Sequence, residues 1–341
     1  MRALVYRGPG SMPLEDRPEP VAGPGGVVVE VRASGICGSD VHGFTGSTGR
    51  RIVGVVMGHE AAGVVIAVGD GVTRVGPGAR VVLRSMLGCG RCDRCVHGQP
   101  NICLERVGLG MALDGAYAER VAVPEAMVEP IPDTLSFEDA ALVEPLAIAL
   151  HAVAITPLAS TDTVAIVGAG PIGLLALLAV RRRGAARVIV TDRDPHRLEL
   201  ARSLGAAAAL DVSEGDPVDA VRGLTDGRGA DVVLEAVGIG PTVAQSIALV
   251  RHGGTITWVG NSAPEVPLPM QQVVSRELTI RGAYGYVDEF AEAIALLAAG
   301  WPDAHRLIER TAGLDAGEAL FRDLAAGTVP AVKVVLVPTS G

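Results

Sequence analysis

Val164-Ala165-Ile166-Val167-Gly168-Ala169-Gly170-Pro171-Ile172-Gly173 is the stretch that decides the fold. It reads as a short apolar strand, a glycine-rich turn and the opening of a helix, with the spacing G-x-G-x-x-G. Gly168 permits the tight turn. Gly170 lets backbone approach a pyrophosphate at the helix N-terminus, and Gly173 lets the helix pack closely on the strand. A lone match of this kind is weak. Here a second strand, Val188–Thr191, follows the helix and ends in Asp192, 19 residues after Gly173. An acidic residue there accepts hydrogen bonds from the adenosine ribose and repels a 2′-phosphate, which favours NAD over NADP. Arg193 and Arg197 pull the other way, because nearby arginines can host that phosphate. Pro171 and Ile172 within the turn, and Val237 after a later strand, complete the expected cofactor-binding residues.

Outward from this stretch the pattern alternates. Strands are expected at Val164–Val167, Val188–Thr191, Val232–Glu235 and Thr255–Val259, with helices at Ile172–Arg183, Pro195–Leu204 and Thr242–Val250. Near-continuous apolar strands between helices predict a parallel sheet covered on both faces, an α/β class. Residues 1 to about 145 differ. Val27–Val31 and Ala62–Val65 are β-branched runs between Gly and Pro punctuation, which predicts a twisted, turn-rich β region. Ser136 with Asp139 reads as a helix start. After Gly282 come helices near Glu289–Ala299 and Ala316–Ala325 and a strand at Val332–Val337.

Composition excludes several classes. The 341 residues are 49% hydrophobic and 20% charged, which suits packed domains rather than disorder. A net charge of −9 argues against nucleic acid or anionic membranes as partners. Lys333 is the only lysine, which reads as codon usage rather than function. Val164–Val180 is uncharged and apolar for 17 residues, but glycines and a proline interrupt it, and a spanning helix needs about 20. Met1–Pro9 lacks the apolar core of a secretory signal, so a cytoplasmic location is expected.

The five cysteines are not a disulfide framework, which belongs to small secreted chains. Cys89-x2-Cys92-x2-Cys95-x7-Cys103 suits four thiolates around a closed, structural zinc. The bacterial iron–sulfur run has a last gap of about three residues and a following proline; here the gap is seven and Leu104 follows, so zinc is preferred. The fifth, Cys37, stands near Ser39, Asp40 and His42, then His59-Glu60, with Glu144 further on. One Cys, one His, a carboxylate and water would make an open zinc site of the catalytic kind. Sequence spacing alone does not bring these residues together.

Taken together, Gly35-Ile36-Cys37-Gly38-Ser39-Asp40-Val41-His42, Gly58-His59-Glu60-Ala61-Ala62-Gly63, the cysteine lobe and Val167–Gly173 resemble the zinc-containing medium-chain alcohol dehydrogenase family over essentially the whole chain. The resemblance implies a GroES-like catalytic domain over 1–145 and 283–341, with a structural zinc lobe at about 88–104. It implies a Rossmann NAD-binding domain over 146–282 and an active site between the two. Cys37 and His59 are implied as ligands of a catalytic zinc. Glu60 matches a ligand in the polyol dehydrogenase branch, and Glu144 either completes the shell or holds the water. Ser39 and His42 match proton-relay positions.

Glu144-Pro145-Leu146 followed by His151 looks like sorbitol and related polyol dehydrogenases, so the implied activity is NAD-dependent oxidation of a secondary alcohol to a ketone. Phe44–Arg51 is also similar to sugar-alcohol-phosphate dehydrogenases. Gly43 replaces a tyrosine of sorbitol-type enzymes and Gly285, between Tyr284 and Tyr286, replaces an arginine, which predicts a bulkier, cyclic substrate. A threonine 3-dehydrogenase-like enzyme is the nearest rival, although no charged partner for a substrate carboxylate is identifiable. A zinc-free quinone or enoyl reductase would lack these cysteines and His59. A zinc-ribbon module that binds nucleic acid is opposed by the charge. The resemblance implies a homodimer or homotetramer, with Leu278–Arg281 as the joining edge.

Overall fold

The computed structural model describes residues 1–49, 51–301 and 303–338, which form two compact units. One comprises Met1–Glu144 with Phe290–Gly341, the other Pro145–Glu289.

The first unit is built around the strand Gly26–Gly35. Its run GVVVEVRASG buries seven of its ten positions, because β-branched residues fit a pleat covered on both faces. It pairs antiparallel with Glu60–Val68, Arg120–Pro124 and Lys333–Leu336. Arg80–Leu83 and Val128–Pro130 extend one side of this sheet, and Ile308–Ala312 the other. Val27, Val29, Val31, Val65 and Val81 pack one core, and Phe44, Tyr117 and Phe321 anchor a second. Gly35 stands opposite Glu60 and also opposite Val335. The carboxyl end of the chain thus returns to the same strand end that carries Cys37.

The second unit holds six parallel strands in the order Ala208–Asp211, Arg187–Asp192, Thr163–Val167, Ala230–Glu235, Val250–Trp258, Thr279–Gly282. The order reverses beside Thr163–Val167, and such a switch point is where α/β sheets bind ligands. Val164–Val180 is a buried strand, turn and helix, and no helix among the described residues is long and apolar enough to cross a membrane. Sequence reading missed the strand Ala208–Asp211 and the helix Pro217–Gly223, both short and only partly buried. Ser136 caps its helix as expected, accepting from the Asp139 N–H at 3.0 Å, but that helix ends at Ala140. The long helix is Val143–Ile155, with Pro145 in its first turn, where the missing N–H breaks no hydrogen bond. Thr279–Gly282 is an edge strand, as predicted for Leu278–Arg281.

Candidate active site

Strand register builds the first centre. Because Gly35 faces Glu60, the chain leaving at Ile36 carries Cys37 back to His59. Ligand atoms of Cys37, His59 and Glu60 all lie within 4.8 Å of one another. His59 Nδ1 is 3.1 Å from Asp40 Oδ2. A carboxylate on the far ring nitrogen is how metal-ligating histidines are oriented. Asp40 is fully buried and accepts from Arg51 Nη2 and from the Tyr117 hydroxyl, each at 2.7 Å. Burial would raise its pKa, yet His59 and Arg51 hold it well below the usual carboxylate range. Burial would likewise lower the pKa of His59, but Asp40 and Cys37 raise it well above the ordinary value.

Glu60 is buried, and its Oε2 lies 2.6 Å from Lys333 Nζ. Glu144 is buried too, and Ser85 donates to its Oε1 at 2.6 Å. Its Oε2 has no hydrogen-bond partner. An orphaned buried carboxylate oxygen carries a penalty of about 1–3 kcal/mol or more, and here it fits a cation or the water such a cation would carry. The structure groups Glu60, and not Glu144, with Cys37 and His59. Burial and the charge of Glu60 push the Glu144 pKa up to about 7, against His59, Ser85 and Lys333. A raised carboxyl pKa contributes stability that is full below the ordinary value and is lost as pH rises through about 7. In the metal-free chain, Glu144→Gln should therefore gain on the wild type between pH 5 and 8, by on the order of 3 kcal/mol. Urea melts of both proteins across that range check this. Parallel pH profiles would refute it.

Ser39 and His42 lie on the short helix Gly38–Phe44, three residues apart and therefore on one face, and both are exposed. The Ser39 hydroxyl is 3.3 Å from Cys37 Sγ. Gly43 corrects the expectation of a roomier pocket. A Cβ there would lie 2.8 Å from Arg51 Cγ and Nε, so the arginine side chain already fills the space a tyrosine would take. Gly285 has φ 60, a conformation that by itself favours glycine. Neither position now argues for a cyclic substrate.

The cysteine lobe forms the second centre. Sγ atoms of Cys89, Cys92, Cys95 and Cys103 lie within 4.8 Å of one another, and all five cysteines are free thiols. Gly90 turns the chain at φ 72 to allow this. Backbone N–H groups of Arg91 and Cys92 pull the Cys89 pKa down to about 6, towards the thiolate that binds metal.

In the second unit, a Cβ on Gly173 would overlap the Gly168 carbonyl, and Gly168 itself has φ 99 with Val237 packed against it. Nothing lies within 4 Å of a Cβ on Gly170, so the space before the helix that starts at Pro171 and Ile172 is open. That is the shape a pyrophosphate needs. Asp192 Oδ2 accepts from the Ala169 N–H at 2.6 Å, and Oδ1 accepts from Arg193 N at 2.8 Å and Asp194 N at 3.0 Å. It pins the fingerprint turn to the neighbouring strand. Arg197 sits 3.4 Å from Asp194, and the Arg193 side chain is exposed.

Sequence reading missed Ser85, Arg51 and Tyr117 as site residues, and noted Asp40 without a role. Lys333 was visible as the only lysine, and that rarity was the signal.

Residues 23–133 match the model of the alcohol dehydrogenase GroES-like domain, and residues 171–299 that of the zinc-binding dehydrogenase. The chain is 36% identical to sorbitol dehydrogenase of Bacillus subtilis, covering 90% of this chain and 89% of that one. It is 38% identical to L-threonine 3-dehydrogenase of Streptomyces coelicolor, covering 96% and 97%. The structure of the alcohol dehydrogenase TADH from Thermus sp. ATN1 superposes with a TM-score of 0.90 at 33% identity, over 99% of this chain and 100% of that one.

Proposed function

The chain belongs to the zinc-binding dehydrogenase family, and we propose that it oxidises a secondary hydroxyl of a polyol, cyclitol or related sugar-derived alcohol to a ketone with NAD. The observation that carries this is the convergence of Cys37, His59 and Glu60 beside the unpartnered Oε2 of Glu144. Zinc bound there supplies Lewis acidity that lowers the pKa of the alcohol oxygen, and the nicotinamide supplies the hydride acceptor. Cys37 and His59 hold the ion, and Asp40 fixes the His59 ring. Ser39 takes the hydroxyl proton, and His42, exposed on the same helix face, passes it to solvent. Gly168, Gly170 and Gly173 seat the pyrophosphate, and Asp192 the adenosine ribose. The four-cysteine lobe holds a structural zinc.

A neutral substrate is supported by the charges. Lys333 and Arg51, the cations beside the cluster, are each committed to a carboxylate. The likeness to a threonine 3-dehydrogenase supports a second reading, in which an amino acid is the substrate. A cytoplasmic enzyme, paired in a homodimer or homotetramer through the edge strand Thr279–Gly282, completes the proposal.

NADH formation with polyols, cyclitols, sugar-alcohol phosphates and threonine, before and after chelation, tests it. Chelator-sensitive turnover fastest on a neutral polyol or cyclitol is expected. Threonine as the fastest substrate would replace the substrate class, and insensitivity to metal removal would overturn the zinc reading.

A further inference from the structure

Lys333 is the only lysine among 29 basic residues, and it is almost completely buried. Burying an ammonium is expensive unless it is paired and hydrogen-bonded. Here it donates to Glu60 Oε2 at 2.6 Å and to the Ile36 carbonyl at 3.2 Å. Ile36 directly precedes Cys37, and Glu60 directly follows His59. One ammonium therefore ties together the two segments that carry the candidate ligands. The strand register places it there: Val335 faces Gly35, and Gly35 faces Glu60. Gly35 is part of the same socket, because a Cβ on it would overlap Glu60 Oε2. The socket thus holds one specific oxygen of Glu60.

We propose that Lys333 is a positioning residue that parks the Glu60 carboxylate in this socket, so that Glu60 does not close the metal position meant for the substrate oxygen. This rests on the zinc reading of the Cys37–His59–Glu60 cluster. Charge accounting supports it. A Cys37 thiolate with the Glu60 and Glu144 carboxylates gives −3, which a divalent ion and one ammonium neutralise. Without Lys333, Glu60 loses its counter-charge and its hydrogen-bond donor. The cation within reach of the cluster then becomes its best partner. A lysine suits the task better than an arginine, since a compact point charge fits where a planar fork needs more room.

The test uses the full-length protein loaded with cobalt(II), read by its visible absorption, with imidazole titrated in as a probe of the open position. In the wild type the expected spectrum is that of a four-coordinate ion that takes up imidazole. In Lys333→Met the expected result is a weaker, five-coordinate spectrum and imidazole affinity at least about tenfold lower, about 1.4 kcal/mol. Lys333→Arg, which keeps the charge, should recover most of the wild-type affinity. In Glu60→Gln the same Lys333→Met change should have no further effect, because the effect runs through Glu60. An unchanged spectrum and imidazole affinity in Lys333→Met, or the same loss in the Glu60→Gln background, would overturn the proposal while leaving the zinc reading standing. A wild type that takes up cobalt only at the cysteine lobe would overturn both. If Lys333→Met does not fold, the Lys333→Arg and Glu60→Gln proteins decide. Glu60→Gln should bind imidazole at least as tightly as the wild type, and weaker binding would refute the parking role.

Discussion

Replacing His59 by alanine should lower kcat/KM by at least about a thousandfold, roughly 4 kcal/mol of transition-state stabilisation. It should also reduce bound zinc from two ions per chain to one. Cys37, His59 and Glu60 are the ligand atoms that converge within 4.8 Å, so the loss of one imidazole leaves a thiolate and a carboxylate already held by Lys333. The four-cysteine lobe keeps its own four thiols and should keep the ion proposed there. Asp40 loses His59, but its Oδ2 keeps the Tyr117 hydroxyl and its Oδ1 keeps Arg51, so the first unit should still fold. Dinucleotide affinity should be nearly unchanged, because the residues proposed to seat the dinucleotide belong to Pro145–Glu289. Metal analysis, steady-state kinetics and dinucleotide titration on one preparation check all three. A variant that keeps two zinc ions and full activity would remove His59 from the site.

The second large effect separates two glycines of one motif. Gly173→Ala places a methyl group against the Gly168 carbonyl, and neither atom can move by a rotamer change. Overpacking against backbone belongs at the top of the usual range, about 3 kcal/mol or more. For a unit of this size that is a fall in Tm of roughly 6–12 °C. Gly170→Ala meets nothing within 4 Å and sits at φ −72, ψ −179, which any residue adopts. Its Tm without cofactor should not change, while its Kd for NAD should rise at least about tenfold, because the methyl enters the space proposed for the pyrophosphate. Calorimetry with and without NAD distinguishes the two. Equal destabilisation by both substitutions would mean that Gly170 is a packing residue and that the open space has another use.

The parts legible in the sequence are those with local causes. The apolar runs at Val164–Val167 and Val188–Thr191, the glycine turn between them and Asp192 identify a dinucleotide fold, because turn chemistry and strand burial act over neighbouring residues. Cys89, Cys92, Cys95 and Cys103 are close in sequence, so a short loop can gather them, and they do meet. The Arg51 side chain lying where Gly43 leaves room was not legible. A missing tyrosine looks like free space until one knows which other side chain enters it.

The sequence by itself thus determined the α/β unit, the metal lobe and the donor types of a second metal centre, because each depends on short-range spacing. Only the tertiary structure decided that Cys37, His59, Glu60 and Lys333 share one place. That depends on two antiparallel registers at Gly35, one opposite Glu60 and one opposite Val335. Register is set by which faces of distant strands bury together, and a slip of one residue would turn every side chain to the other face. The most distant member, Lys333, looked like a trace of codon usage, and its partner lies 273 residues away.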